Sequence, residues 1–278
     1  MTLKVDKVTW RAGAQFDLTP ASMLYGTVAT SFRSGGFFFT SDNPSYGPED
    51  VIAYTLGSKN RLFENKVQLN IELFDWSFQK QQIAYLTRDS RGDYVFATVN
   101  AGKTRERGVE LSLKFQVDQA TQLGVDVQYL DARFQEFKIT QAAPPTAGSL
   151  CSGTQVATGF ILNCEGRRPT NAPEWVVGPT VSHNFLIGNG GSVDVEGGAH
   201  YQSSSFTAIQ LVPSDLQPAY ITGNASLTYN VPGRRLTVGV FVENVADVAI
   251  KQYSAHSSFT AAVLGPPRTF GVRAQVHL

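Results

Sequence analysis

The stretch RGVELSLKF, Arg107–Phe115, alternates without a break: Val109, Leu111, Leu113 and Phe115 point one way, Gly108, Glu110, Ser112 and Lys114 the other. A period of two marks a β-strand with one apolar and one polar face. It does not say which face is wet. In a soluble sandwich the apolar face is core, whereas in a membrane barrel it meets lipid and the polar side lines the lumen.

Working outward, the rest of the chain divides into about eleven alternating segments. In order they are KVTWRAGAQFDL, MLYGTVATSFRS, VIAYTLGSKNRLF, a run from Val67 to about Thr87, and a run from Tyr94 through the opening stretch to Val117. Then come LGVDVQYLDARFQEF, EWVVGPTVSHNFLI, SVDVEGGAHYQSSSF, AYITGNASLTYN, RRLTVGVFVEN continuing to about Tyr253, and PRTFGVRAQVHL. Helical spacing of apolar residues is absent, so the chain is all-β. The connections alternate in length. TPAS, ENK, DQAT, GNGG and VPG are tight, while roughly 35–50, 88–93, 138–173, 210–218 and 255–265 are longer. An up-and-down meander with short turns at one end and long loops at the other gives that order; Greek-key crossings would mix the lengths. Segments of about 12 residues exceed the usual five or six of soluble sheets and meet the 9–11 that a tilted strand needs to cross a bilayer. The pattern predicts an antiparallel up-and-down transmembrane β-barrel, with Val109, Leu111, Leu113 and Phe115 facing lipid and Glu110 and Lys114 in a wet lumen. One segment departs from it: Val67, Leu69, Ile71 and Leu73 share a face, but Phe74, Trp76 and Phe78 follow on the other. Either a bulge or a strand rising above the membrane accounts for that.

Composition agrees. Net charge is +0 over 278 residues, which argues against nucleic-acid binding through a broad basic field. Only 17% of residues are charged, and the sequence contains 25 Gly, 18 Phe and 10 Tyr. No apolar run is long enough for a transmembrane helix, and the N-terminal MTLKVDKVTWRAG has no apolar signal core. Cys151 and Cys164 lie in a polar segment without strand periodicity, which fits a disulfide-closed loop in an oxidising compartment, or else two unrelated thiols. His183, His200, His256 and His277 are scattered, and GNGGS lacks the lysine and helix of a phosphate loop. No metal, cofactor or catalytic constellation is expected, and the chain does not read as an enzyme.

An odd number of strands cannot close an antiparallel barrel by itself, because the two end strands run the same way. Eleven strands therefore imply a portion of a larger barrel, or one closed with another chain. LYGTVATSFRSGGF, EDVIAYTLGSKNRLFENKVQLNIELFDWSFQKQQ, VNAGKTRERGVELSLKF, RRPTNAPEWVVG, VFVENVADVAIKQY and GPPRTFGVRAQVHL together resemble, in order, motifs of the TonB-dependent outer-membrane receptors. The resemblance implies that residues 1–278 are a partial barrel, the C-terminal half of one with 22 strands, lacking the plug domain, the signal peptide and the segment that engages TonB. It departs from the family in ending at Leu278, where phenylalanine is usual. It further implies an outer-membrane location in a Gram-negative bacterium and uptake of a ferric siderophore or similar small ligand. Partners would be outer-membrane lipid and lipopolysaccharide, and a TonB-type energising protein in a full-length form.

Two places are candidates for ligand contact. Arg33 and Phe37, with Phe38 and Phe39, open a long loop and suit an aromatic chelator, though an interfacial aromatic girdle uses the same residues. Arg167 and Arg168 at a loop rim suit an anionic ferric chelate, lipopolysaccharide phosphate, or plain solvation. Two other readings stay open: a passive pore or structural barrel, and a soluble all-β binding module.

Overall fold

The computed structural model describes residues 3–38, 45–141, 144–157, 159–188, 190–256 and 260–276. Among the described residues nineteen strands are present: β1 (Arg11–Thr19), β2 (Ser22–Arg33), β3 (Gly36–Phe37), β4 (Ser45–Tyr46), β5 (Glu49–Leu62), β6 (Val67–Arg88), β7 (Tyr94–Gln116), β8 (Thr121–Gln141), β9 (Ser152–Val156) and β10 (Gly159–Asn163), then β11 (Trp175–Leu186), β12 (Ser192–Gln202), β13 (Ser205–Phe206), β14 (Leu216–Gln217), β15 (Tyr220–Asn230), β16 (Leu236–Glu243), β17 (Lys251–His256), β18 (Thr260–Leu264) and β19 (Thr269–Val276). Eleven of them form one meander in the order β1-β2-β5-β6-β7-β8-β11-β12-β15-β16-β19, the segments that periodicity marks out. Neighbouring pairs are antiparallel throughout. An odd count leaves β1 and β19 running the same way, so an antiparallel barrel containing this sheet closes only through an odd number of additional strands.

The register settles which side is apolar. Val109 faces Leu73 and Tyr129, Leu111 faces Ile71 and Val127, Leu113 faces Leu69 and Val125, and Phe115 faces Val67 and Leu123. The same face continues through Trp175, Val177 and Val181 of β11. Side chains on this face are exposed although apolar: Leu56 by 57%, Ile221 by 59% and Phe270 by 72%. Among the described residues no second layer covers them. A contiguous apolar band of this kind is costly in water and is the pattern of a lipid-facing wall.

The irregular segment is a strand that rises past the band, and the bulge lies elsewhere. Pairing runs without a shift from Val67↔Phe115 to Gln79↔Lys103, so nothing slips at Leu73–Phe74. The register changes only between Gln79 and Gln82, where Lys80 takes φ 54°. Beyond Leu73 the faces exchange character. Outward lie the ion pairs Arg105–Asp75 (2.5 Å), Arg107–Asp131 (3.3 Å), Arg133–Asp131 (3.1 Å) and Lys103–Glu136 (2.6 Å); inward lie Phe74, Trp76 and Phe78. Tyr129 and Trp175, their rings tilted by 49° with centres 4.9 Å apart, sit at the border. β6, β7 and β8 run to 22, 23 and 21 residues because they are membrane wall below that border and soluble sheet above it.

Three expectations about connections need correcting. The 88–93 loop is a tight turn at the tip of the long β6–β7 hairpin, where the Asp89 carboxylate accepts from Arg91 N (3.0 Å) and Asp93 N (2.9 Å). The 138–173 stretch is not wholly irregular: β8 extends to Gln141 and β9–β10 form a hairpin against it. The strand taken to Tyr253 ends at Glu243. Asn244 (φ 49°) turns the chain, its side chain accepting from Val248 N and donating to Val248 O, each at 3.0 Å, and β17–β18 is a separate hairpin.

The buried core lies above the band. Tyr85, Phe134, Phe137, Ile139, Leu162 and Leu211 pack with Cys151 and Cys164, which are bonded as a disulfide flanking β9–β10. Phe134 pairs with Thr104, a residue of the lumen face, so this cluster leans over the inside of the sheet. Its backbone is stitched by Leu150 N→Leu211 O (3.2 Å) and Asn171 N→Phe206 O (2.8 Å). The result is a roof formed from the connections after β8 and β12 packed on the upper parts of β6, β7 and β8.

At the opposite end the Asp118 carboxylate accepts from Ala120 N and Thr121 N, each at 2.8 Å, and from Thr121 Oγ1 at 3.1 Å. Those bonds, the backbone one to Ala120 first, hold it below the usual aspartate range. A depressed folded value makes the turn's contribution present above the unfolded value of about 3.9 and lost as pH falls through the folded one. Asp118→Asn is therefore expected to flatten part of the acid arm of a stability-versus-pH curve. Equal acid sensitivity of parent and variant would remove the carboxylate from the account.

Candidate functional site

The inward face above the band forms the wall of a mouth. Trp76 pairs with Glu106 across β6–β7, and Arg33 pairs with Glu49 across β2–β5. Phe74 lies against Trp76 with ring centres 5.0 Å apart, and Gly108 lets it do so, since a Cβ there would meet the Phe74 ring at 2.5 Å. The Trp76 Nε1 donor is buried without a hydrogen-bond partner among the described residues. A buried N–H left unpaired costs about 1–3 kcal/mol, and a molecule offering an acceptor recovers it.

The bulge explains how the first long loop is held against this wall. Displaced by it, Gln82 N donates to Glu49 Oε2 (2.6 Å), and Gln82 Nε2 donates to Ser34 O (2.9 Å) and Gly47 O (3.0 Å). Asn100 Nδ2 donates to Lys80 O (2.8 Å) and Gly47 O (3.0 Å), while Gly47 N returns a bond to Asn100 Oδ1 (2.7 Å).

The residues singled out from sequence fall in separate places. Arg33 is the exposed last residue of β2, and Phe37 lies exposed in the short β3–β4 hairpin. Phe38 faces Tyr46 at 6.5 Å between ring centres; Phe39 lies outside the described residues. Arg167 is exposed, and its backbone bonds Phe134 N (2.9 Å). Arg168 is half-buried, pairing with Glu174 (3.1 Å) and donating from Nη1 to Leu130 O (3.0 Å), so its guanidinium ties the returning chain to β8. Since β5, β6 and β7 separate β2 from β8, the two arginine groups do not form one cluster. Cys151 and Cys164 serve the roof.

Sequence reasoning passed over Glu49, Glu106 and a link at the far side of the roof. There Asp215, fully buried, accepts from Val212 N (3.2 Å) and bonds His256 Nε2, while Thr207 Oγ1 meets Ser254 Oγ at 2.8 Å. This couples the β17–β18 hairpin to the segment between β12 and β15. The mouth wall thus carries aromatic faces, the Arg33 guanidinium and the Glu49 and Glu106 carboxylates, with the Trp76 indole donor buried within it. Among the described residues no group of His, Cys, Asp and Glu could hold a metal ion, and no helix is long and apolar enough to cross a membrane.

A family model described as "TonB dependent receptor-like, beta-barrel" matches residues 2–245. Among solved structures, the ferric yersiniabactin uptake receptor FyuA from Yersinia pestis superimposes with a TM-score of 0.73 at 18% identity, over 96% of this chain and 36% of that one. The siderophore receptor PiuA from Acinetobacter baumannii gives 0.70 at 18%, over 96% and 35%. The ferric-catecholate import receptor Fiu from E. coli K12 gives 0.65 at 20%, over 97% and 35%. The chain spans about a third of the length of these structures.

Proposed function

The chain belongs to the TonB-dependent receptor-like β-barrel family, and from that membership we propose that it forms part of the wall and mouth of an outer-membrane receptor that imports a ferric siderophore in a Gram-negative bacterium. The observation that carries the proposal is the coincidence of a lipid-facing antiparallel meander with a packed, disulfide-bearing roof over its lumen side. A channel for passive exchange gains nothing from such a roof. A receptor that must hold a scarce ligand gains a rigid frame for the contacts that bind it. Similarity to receptors whose names specify ferric chelates supports the cargo class. Energy would come from a TonB-type partner through parts of the receptor other than this wall.

The test is uptake. Deleting the gene should abolish accumulation of radiolabelled iron from at least one ferric chelate under iron limitation, and collapsing the proton-motive force should do the same in the parent. Uptake unaffected by either treatment across hydroxamate, catecholate and mixed chelates would overturn the iron reading. Steady ion conductance of the purified protein in planar bilayers would favour a pore instead.

A further inference from the structure

The β6–β7 hairpin joins the two longest strands of the sheet, and residues 90–93 form its apex, beyond the end of the apolar band. Arg91, Gly92 and Asp93 are all exposed there, the two charged side chains by 68% and 71%. Gly92 takes φ 87°, and a Cβ built on it would meet nothing within 4 Å, so bare backbone lies open to an approaching surface.

The apex is stiff. Beneath it the buried Asp89 carboxylate holds Arg91 N and Asp93 N through Oδ1, and through Oδ2 accepts from Arg91 Nε (3.1 Å) and Nη2 (3.0 Å). Asp89 N donates to Asp93 O and Gly92 N to Asp89 O, each at 2.9 Å. A partner docking here therefore has little left to order, which lowers the entropic cost of the contact.

Charge at the apex is uneven. The Arg91 fork is turned to Asp89, so that Asp93 has its nearest ion-pair partner among the described residues, Arg91 Nε, at 4.0 Å. An exposed pair at that distance contributes little. What projects is one weakly matched carboxylate on a short stem, a guanidinium held in a fixed direction, and a bare glycine between them. A broad basic surface would answer to several acids. A single carboxylate in a fixed place suits a hard divalent cation with one open coordination position.

We propose that this apex docks a partner protein that already holds a divalent cation. The Asp93 carboxylate enters the open coordination position, and the exposed side of the Arg91 guanidinium meets a carboxylate of the partner. The contact rests on the reading that the roofed end of the sheet faces away from the cell. It makes no use of the mouth wall, so loss of iron uptake and loss of this contact are separate results.

The test uses the purified protein in detergent, with an immobilised cell-adhesion receptor ectodomain that binds Arg-Gly-Asp peptides through such a cation as the probe. Binding in Mg²⁺ and Mn²⁺, its loss in EDTA and its return when the cation is restored are expected. Asp93→Asn and Asp93→Glu should each weaken binding about tenfold or more, the second because an added methylene moves the charge without removing it. Both variants should keep the gel shift between unheated and boiled samples that marks a folded barrel. Binding that survives EDTA, parent-like binding by Asp93→Glu, or no binding by the parent would each overturn the proposal.

Discussion

Gly108→Val is expected to prevent the sheet from assembling. A Cβ at this position comes within 2.2 Å of Tyr129 O and 2.5 Å of the Phe74 ring. The first contact is with backbone in a central strand pair, so relief requires β7 and β8 to part; the second displaces a ring that is itself buried against Trp76. Overpacking of this kind costs about 3 kcal/mol or more, a hundredfold or greater shift toward the unfolded chain. Gly26→Ala is the matched control, since its nearest neighbour lies at 3.7 Å and a change of under about 1 kcal/mol is expected. The measurement is the fraction of protein that stays compact in SDS before heating. Similar fractions for the two variants would mean that the close approach at Gly108 is not what fixes the β7–β8 spacing.

Leu211→Ala should open the roof and spare the wall. Leu211 is 1% exposed, yet it belongs to a connection between strands, and the cluster around it draws on β6, β7, β8 and the disulfide hairpin rather than on the lipid-facing band. Truncating a buried leucine costs about 2–5 kcal/mol, and here the loss falls on a unit able to open separately. Limited proteolysis should therefore cut variant protein between residues 144 and 174 while the sheet remains heat-modifiable. Replacing Cys151 and Cys164 together with serine should act in the same direction, by about 3 kcal/mol on the chain-entropy estimate. Loss of the whole barrel in either variant would show roof and wall to be one cooperative body.

The spanning strands were legible because alternation in RGVELSLKF is enforced over every residue of the wall: one face must meet lipid and the other water. The roof was not. Its apolar residues are gathered from Tyr85, Phe134, Leu162 and Leu211, far apart in sequence, so no local period reveals them. The exchange of faces at Leu73–Phe74 was visible as an anomaly. Its meaning needed the register, which shows pairing running through it unbroken. Asp215 and His256 carried no signal at all, being 41 residues apart and on different connections. The arginines fared unevenly: Arg33 reaches the mouth, whereas Arg168 is drawn into holding backbone.

The long strands have a consequence of scale. From Phe74 to Arg88, at about 3.3 Å per residue and a tilt of about 40°, β6 climbs on the order of 40 Å past the apolar band. The chain therefore carries its own turret. Whatever arrives from outside, whether a chelate, an antibody or a bacteriophage, encounters folded protein well before it reaches the lipid, and on one flank it encounters a surface pinned by a covalent cross-link.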